Sequence, residues 1–211
     1  MQKMVDLFQI YNNSIKMLRD RGNSIGKVTN IINDSDTFYQ KYKKEELIII
    51  SDDYKTFLFI NKPEDNFIKK HQEKLVKKAI ELTKKNVVSL IVVLERKVNT
   101  NIVVAQYENK KIYVSFMFHW ELMFDPTSHE LVPQHILLSK EAEKELLKNS
   151  TIYDKNNLPV ILSDDRIARW YGAVPKQIFF IRRKNKFGFT EVIYRIVKTR
   201  AEVSEHEEKE E

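Results

Sequence analysis

The sequence predicts an α/β protein in two domains, the first over residues 1–124 and a smaller one of mixed α/β character over residues 125–197. Three observations predict it. Short β-rich apolar runs flank a long amphipathic segment in the first part of the chain. A turn-forming cluster, Asp125-Pro126-Thr127-Ser128, then follows the apolar stretch Phe116–Phe124. Beyond that cluster, capped helical segments and a pair of alternating segments repeat the mixture on a smaller scale.

Leu7, Phe8, Ile10, Tyr11, Ile15 and Leu18 recur near helical spacing and predict a helix over residues 3–21, ended at Gly22. A short helix over 36–44 turns Phe38, Tyr39 and Tyr42 inward. The period then changes. Residues 46–51 (ELIIIS) and 56–61 (TFLFIN) read as a hairpin. Residues 66–85 return to helical spacing through Ile68, Leu75, Ala79 and Leu82, with seven lysines on the other faces. Three strands follow, over 87–94, 101–107 and 112–118.

In the second domain Ser139 is positioned to cap a helix over 140–148, and Glu141 and Glu143 in its first turn suit the helix dipole. Residues 165–171 read as a short helix closed by Gly172. Residues 177–183 and 191–197 alternate well enough to pair as antiparallel strands. The end of the chain, from Lys198 to Glu211, is expected to be a disordered acidic tail.

At 211 residues and 42% hydrophobic the chain is long enough for a real core, and without cysteine that core depends on packing alone. No disulfide, thiolate metal site or cysteine nucleophile is possible. The start, MQKMVDLFQIYNN, lacks the apolar run of a signal peptide, and no stretch is apolar enough to cross a bilayer, so an intracellular protein without membrane contact is expected. The net charge is +6, but the last fourteen residues carry three Lys or Arg and six Glu, a net −3 that leaves the body at +9. Such a body suits a polyanionic partner.

Few motifs carry chemistry. His129-Glu130-Leu131-Val132-Pro133-Gln134-His135 begins like a zinc-protease helix, but its histidines are six apart around a proline, whereas that site needs a spacing of four on one helical face. A Pro-bent extended segment in which Leu131 and Val132 pack is the plainer reading. Glu95-Arg96-Lys97 at a strand end is half of a metal-dependent nuclease signature, with Asp52 or Asp53 as the missing acid, or else an ordinary solvated strand end. The lysine-rich helix, with Lys69, Lys70, Lys74, Lys77, Lys78, Lys84 and Lys85, could follow phosphates but reads first as a solvated face. Four glycines make neither a dinucleotide fingerprint nor a phosphate loop.

The second domain nevertheless resembles a known family. HELVPQHILLS (129–139), Leu146-Leu147-Lys148, Leu158-Pro159, Asp165 and Ala168 through Tyr171-Gly172 occur in the order found in the small common subunit of eukaryotic nuclear DNA-directed RNA polymerases and in its archaeal H-type counterpart. The likeness covers about 127–197. In the first domain it is weaker, carried by Leu7, MLRDRG (17–22), the aromatics of 38–42 and the strand order. Arg166 stands where the family has proline, and KNKFGFT (184–190) replaces a Ser-Glu-Thr-Ser-Gly-Arg type of turn. With the Lys, Asn and Ile bias, these departures resemble a diverged copy of the kind large DNA viruses or protists carry.

The resemblance implies an α/β jaw domain with a nuclease-like layered sheet over 1–124 and an assembly domain over 125–197. It implies a non-catalytic subunit that docks on the largest polymerase subunit, contacts other polymerase subunits and borders downstream double-stranded DNA. No cofactor, metal or small-molecule substrate is implied, and the location would be the nucleus, or the cytoplasm or virion for a viral copy. Docking is expected at His129, Glu130, Leu131, Val132, Pro133, His135, Arg169, Tyr171, Arg182 and Arg183. DNA is expected to face Lys97, Asn99 and Thr100 at one turn and Asn109, Lys110 and Lys111 at another. The rival readings are a metal-dependent nuclease using Asp52 or Asp53, Glu95 and Lys97, and a free-standing nucleic-acid-binding module.

Overall fold

A computed structural model describes residues 6–44, 46–60, 69–83, 86–95, 103–107, 110–149, 154–185 and 187–207. The architecture is mixed α/β with two sheets, and the chain divides into two compact units, Met1–Phe124 and Asp125–Glu211.

In the first unit, Asp6 sets the start of α1 (Leu7–Asp20) by accepting the amide hydrogens of Phe8 and Gln9, both at 3.1 Å. After α2 (Ser35–Lys44), β1 (Leu47–Ile50) and β2 (Thr56–Ile60) form the expected antiparallel hairpin. α3 (Lys69–Leu82) then returns the chain so that β3 (Ser89–Leu94) lies parallel to β2, as a helical crossover requires. β4 (Val103–Tyr107) and β5 (Lys110–Phe118) are an antiparallel pair, with β5 parallel to β3, giving the order β1-β2-β3-β5-β4.

Both faces of the central strands are buried, which is why they read as continuous apolar runs. Phe57, Phe59, Leu90, Val92, Ile112 and Val114 pack with Leu75, Val76, Ala79 and Ile80 of α3. Each large side chain buried there contributes about 1.5–3 kcal/mol. Lys74 and Lys77 of the same helix are exposed and Lys78 pairs with Glu46, so these three lysines lie on its solvated side. The short helix α4 (His119–Leu122) was not anticipated. Glu121 accepts the Phe118 amide hydrogen at 2.9 Å, and the Asn13 side chain ties α1 to the Leu122 carbonyl at 2.7 Å.

The second unit holds β6 (Gln134–Leu137), α5 (Lys140–Asn149), β7 (Val160–Leu162), α6 (Arg166–Tyr171), β8 (Ile178–Lys184), β9 (Thr190–Lys198) and α7 (Arg200–Glu207). Its sheet runs β6-β8-β9-β7, with β8 and β9 the expected antiparallel pair. One face packs Phe179, Ile181 and Val197 with Ala168 and Ala173. The other packs Ile178 and Ile196 with Leu158 and Leu146. Asp165 caps α6, and Gly172 ends it at φ 64°, a left-handed conformation that favours glycine.

The tail expectation needs correction. Residues 200–207 form α7, because Glu202 accepts from the Thr199 amide at 2.7 Å while its own amide donates to the Thr199 hydroxyl at 3.2 Å. That reciprocal cap satisfies helix-start donors that composition alone does not reveal.

Candidate functional site

The HELVPQH segment is shaped by its own polar groups. Asp125 accepts from the Thr127 amide at 2.8 Å and starts a turn of 3-10 helix over Pro126–Ser128. The Val132 amide then closes onto the His129 carbonyl at 2.9 Å, and the Leu131 amide donates to His129 Nδ1 at 3.2 Å. After Pro133, the Nδ1 of His135 bonds the Pro133 carbonyl at 2.7 Å and the chain enters β6. Both histidines thus serve the backbone, as the bent-segment reading expects.

Leu131 differs from that reading. It is 84% exposed, because it sits at the apex of the turn, where nothing in its own unit can cover it. Val132 and Pro133 are half-buried. His135 lies opposite Ile181 in the ladder and sets its ring edge against Phe179 at 5.8 Å, and Tyr171 packs on the same ring at 5.8 Å.

Around this segment lies a cleft of about 690 Å³ lined by Glu130, Leu131, Val132, Pro133, His135, Arg182 and Arg183, seven of the ten residues expected to dock. Tyr171 lines a neighbouring cleft of about 310 Å³ together with Val132, Pro133 and His135. His129 and Arg169 line neither. The sequence reading missed Asp165, Ile167, Lys184, Ile193 and Arg195, which also line the larger cleft. Arg195 lies opposite Phe179 and Ile193 opposite Ile181 in the ladder, so period-two alternation along β9 puts both on one face. The altered turn after β8 is tightly tied. Asn185 Oδ1 accepts from the amides of Phe187 at 3.0 Å and Phe189 at 3.1 Å, and Gly188 takes φ 83°.

Burial pushes the His135 imidazole below the ordinary histidine value, with Arg195 adding to the effect while the Pro133 carbonyl and Asp165 oppose it. The folded state therefore binds fewer protons at this ring than the unfolded chain does. The stability it contributes is fully present above the unfolded value, about 6.5, and is lost as pH falls through the lower folded one. Thermal melts should show stability falling as the pH drops below about 6.5, and His135→Gln, which can still donate to Pro133, should flatten that slope. An unchanged slope in the variant would remove His135 as its cause. The carboxylates held low by hydrogen bonds, Asp34, Asp52, Asp53, Glu141 and Glu202, act in a more acidic window and do not confuse the measurement.

The nuclease constellation does not assemble. Asp52 accepts from the Ser24 hydroxyl and the Lys27 and Val28 amides, and Asp53 from Ser51 and the Lys55 amide, so both order loops. They precede β2, whose start pairs with the start of β3, whereas Glu95 follows the end of β3. Six strand residues at about 3.3 Å each put the acids roughly 20 Å apart. Lys97 lies outside the described residues, as do Asn99, Thr100 and Asn109. Lys110 and Lys111 belong to β5 and not to a turn, since the antiparallel register Tyr107↔Lys110 and Gln106↔Lys111 takes them into the ladder. Because β5 is parallel to β3, they lie at the sheet end opposite to Glu95.

The family described as RNA polymerase Rpb5, C-terminal domain, matches residues 124–197. The DNA-directed RNA polymerase subunit Rpo5 of Thermofilum pendens is 42% identical over 74 residues, 35% of this chain and 91% of that protein. The Rpo5 of Archaeoglobus fulgidus is 45% identical over 76 residues, 36% of this chain and 99% of the other. The DNA-directed RNA polymerases I, II, and III subunit rpabc1 of Dictyostelium discoideum is 35% identical over 89 residues, 42% of this chain and 45% of that one. The archaeal proteins are thus matched over nearly their whole length, and the family match, from residue 124 to 197, falls almost wholly in the second unit, which holds the cleft.

Proposed function

Since the chain belongs to the family of DNA-directed RNA polymerase subunits that includes Rpo5 and RPABC1, we propose that it is a non-catalytic subunit of a multisubunit RNA polymerase. Its second unit is the assembly domain, docked on the largest polymerase subunit through the bent segment 129–135 and the cleft beside it. The observation that carries this reading is the family match over residues 124–197, together with archaeal subunits matched over almost their full length. The exposed Leu131 at a turn held by its own histidine is the anchor such a surface offers. An intracellular site of action, with transcription, belongs to the same proposal. Purifying the tagged chain from its native source tests it: the two largest polymerase chains should arrive in equal amounts, and a chain that arrives alone overturns the reading.

In this reading the first unit is a jaw bordering downstream duplex DNA. Support comes from the placement of Lys110 and Lys111 at one end of its sheet. Cations at a strand end can meet phosphates, and such contacts position DNA without reading its sequence. Each lost phosphate contact should lower the salt dependence by about one unit of slope. Lys97→Glu and the pair Lys110→Glu with Lys111→Glu should each shorten the lifetime of elongation complexes at raised salt, and together should add. Lifetimes equal to wild type across the salt series would leave these groups without a DNA role.

A further inference from the structure

Strands β8 and β9 give the second sheet two different faces. Phe179 and Ile181 point to the cleft side, and period-two alternation puts Phe180, Arg182 and Lys184 on the other. There the ladder neighbours of Arg182 are Gln134 and Val192, and that of Lys184 is Thr190, none of them acidic. Glu191 is taken by Arg183 at 2.5 Å, and among the described residues neither Arg182 nor Lys184 has a carboxylate partner. Arg182 lies over the Phe180 ring at 5.8 Å, and Phe180 meets Tyr194 edge to face at 5.7 Å. The two strands are joined by a turn on which Phe187 is 72% exposed and Phe189 71%. The backbone under these rings is fixed, because Asn185 Oδ1 accepts both their amides and the Asn185 amide donates to the Phe189 carbonyl at 2.8 Å. From Arg182 to Phe189 the sequence carries four cations and no acid.

We infer that this hairpin binds unpaired nucleic acid, RNA or single-stranded DNA, with bases stacked on Phe187 and Phe189 and phosphates at Arg182 and Lys184. Two exposed aromatic rings on one rigid turn leave apolar area in water that a partner must cover. Every base has a face that such a ring can take, and in a duplex those faces are already stacked, so the rings select single strands. Arg182 and Lys184 are two residues apart on one strand face, about 7 Å, close to the step between neighbouring phosphates of an extended strand. An acidic peptide would satisfy the cations and leave the rings uncovered, whereas a nucleotide brings a flat face and a charge in one repeating unit. The site reads no sequence, because neither stacking nor phosphate contact distinguishes one base edge from another. It goes beyond the docking role, which uses the cleft on the other face of the same sheet.

Fluorescence anisotropy of the full chain with labelled oligo-uridine, oligo-deoxythymidine and a DNA duplex of equal length tests this. At least one single strand should bind more tightly than the duplex, and the tighter of the two names the ligand as RNA or DNA. Phe187→Leu with Phe189→Leu keeps the charge and removes the stacking faces, so single-strand affinity should fall roughly tenfold, the loss of about 1.4 kcal/mol, at an unchanged salt slope. Arg182→Gln with Lys184→Gln should instead lower that slope by about 1.4, at roughly 0.7 for each phosphate contact on a single strand. Wild-type affinity in the leucine variant overturns the inference, as does a duplex bound as tightly as both single strands. If that variant binds oligonucleotides normally but no longer purifies with polymerase, the rings are a protein anchor and the inference is wrong. The binding arm needs no polymerase, so its failure and that of the docking reading are separate results.

Discussion

Val132→Asp should abolish incorporation into the polymerase while leaving the second unit folded. Val132 is half-buried in the free chain and lines both clefts, so it lies where the bent segment, the cleft and the proposed partner converge. Its backbone is held independently of its side chain, by the hydrogen bond its amide donates to the His129 carbonyl at 2.9 Å, and the core beneath centres on Phe179, Ile181 and Ala168. The free protein can therefore leave a carboxylate at this position in water. Docking cannot, because closing a partner over the cleft strips the new charge of water with Glu130 and Asp165 already nearby. An unpaired buried carboxylate costs several kcal/mol, and each 1.4 kcal/mol or so is tenfold in affinity. Recovery with polymerase should fall roughly a hundredfold or more by that conversion, with the near-ultraviolet circular dichroism of the free protein unchanged. Wild-type recovery of Val132→Asp would place the docking surface elsewhere. By contrast, a substitution in the first unit such as Lys111→Glu should leave recovery intact, since Lys111 lies in the other unit and is exposed.

Much of this fold is legible in the sequence because its signals are local. The short apolar runs of β1 and β2, the long amphipathic α3, the Ser139 cap whose hydroxyl accepts the Ala142 amide hydrogen at 3.2 Å, and the Gly172 stop are each written within a few residues. Strands β6 and β7 are different. β6 has four residues after a proline with Ile136 exposed, and β7 has three residues whose partners, Ile196 to Lys198, lie far along the chain. Their pairing is a product of tertiary register, which local propensity does not encode. The candidate site divides in the same way. HELVPQH identifies its own side of the cleft, but Lys184, Ile193 and Arg195 join only through the β8–β9 ladder, and Asp165 and Ile167 only through the packing of α6. The nuclease reading fails for the same reason, since adjacency to strand ends says nothing about which end until β2 and β3 are known to be parallel.

Separating the two units tests most directly whether the second one, by itself, is the docking module of a polymerase subunit. It has its own four-stranded sheet and two packed clusters of buried side chains, and proteins of nearly that extent are whole subunits in archaea. Residues 125–211 and residues 1–124, each tagged and expressed in the native source, should behave oppositely. The first should bring the two largest polymerase chains in amounts equal to its own, and the second should arrive without them. Polymerase recovered with residues 1–124 and absent from residues 125–211 would contradict the account.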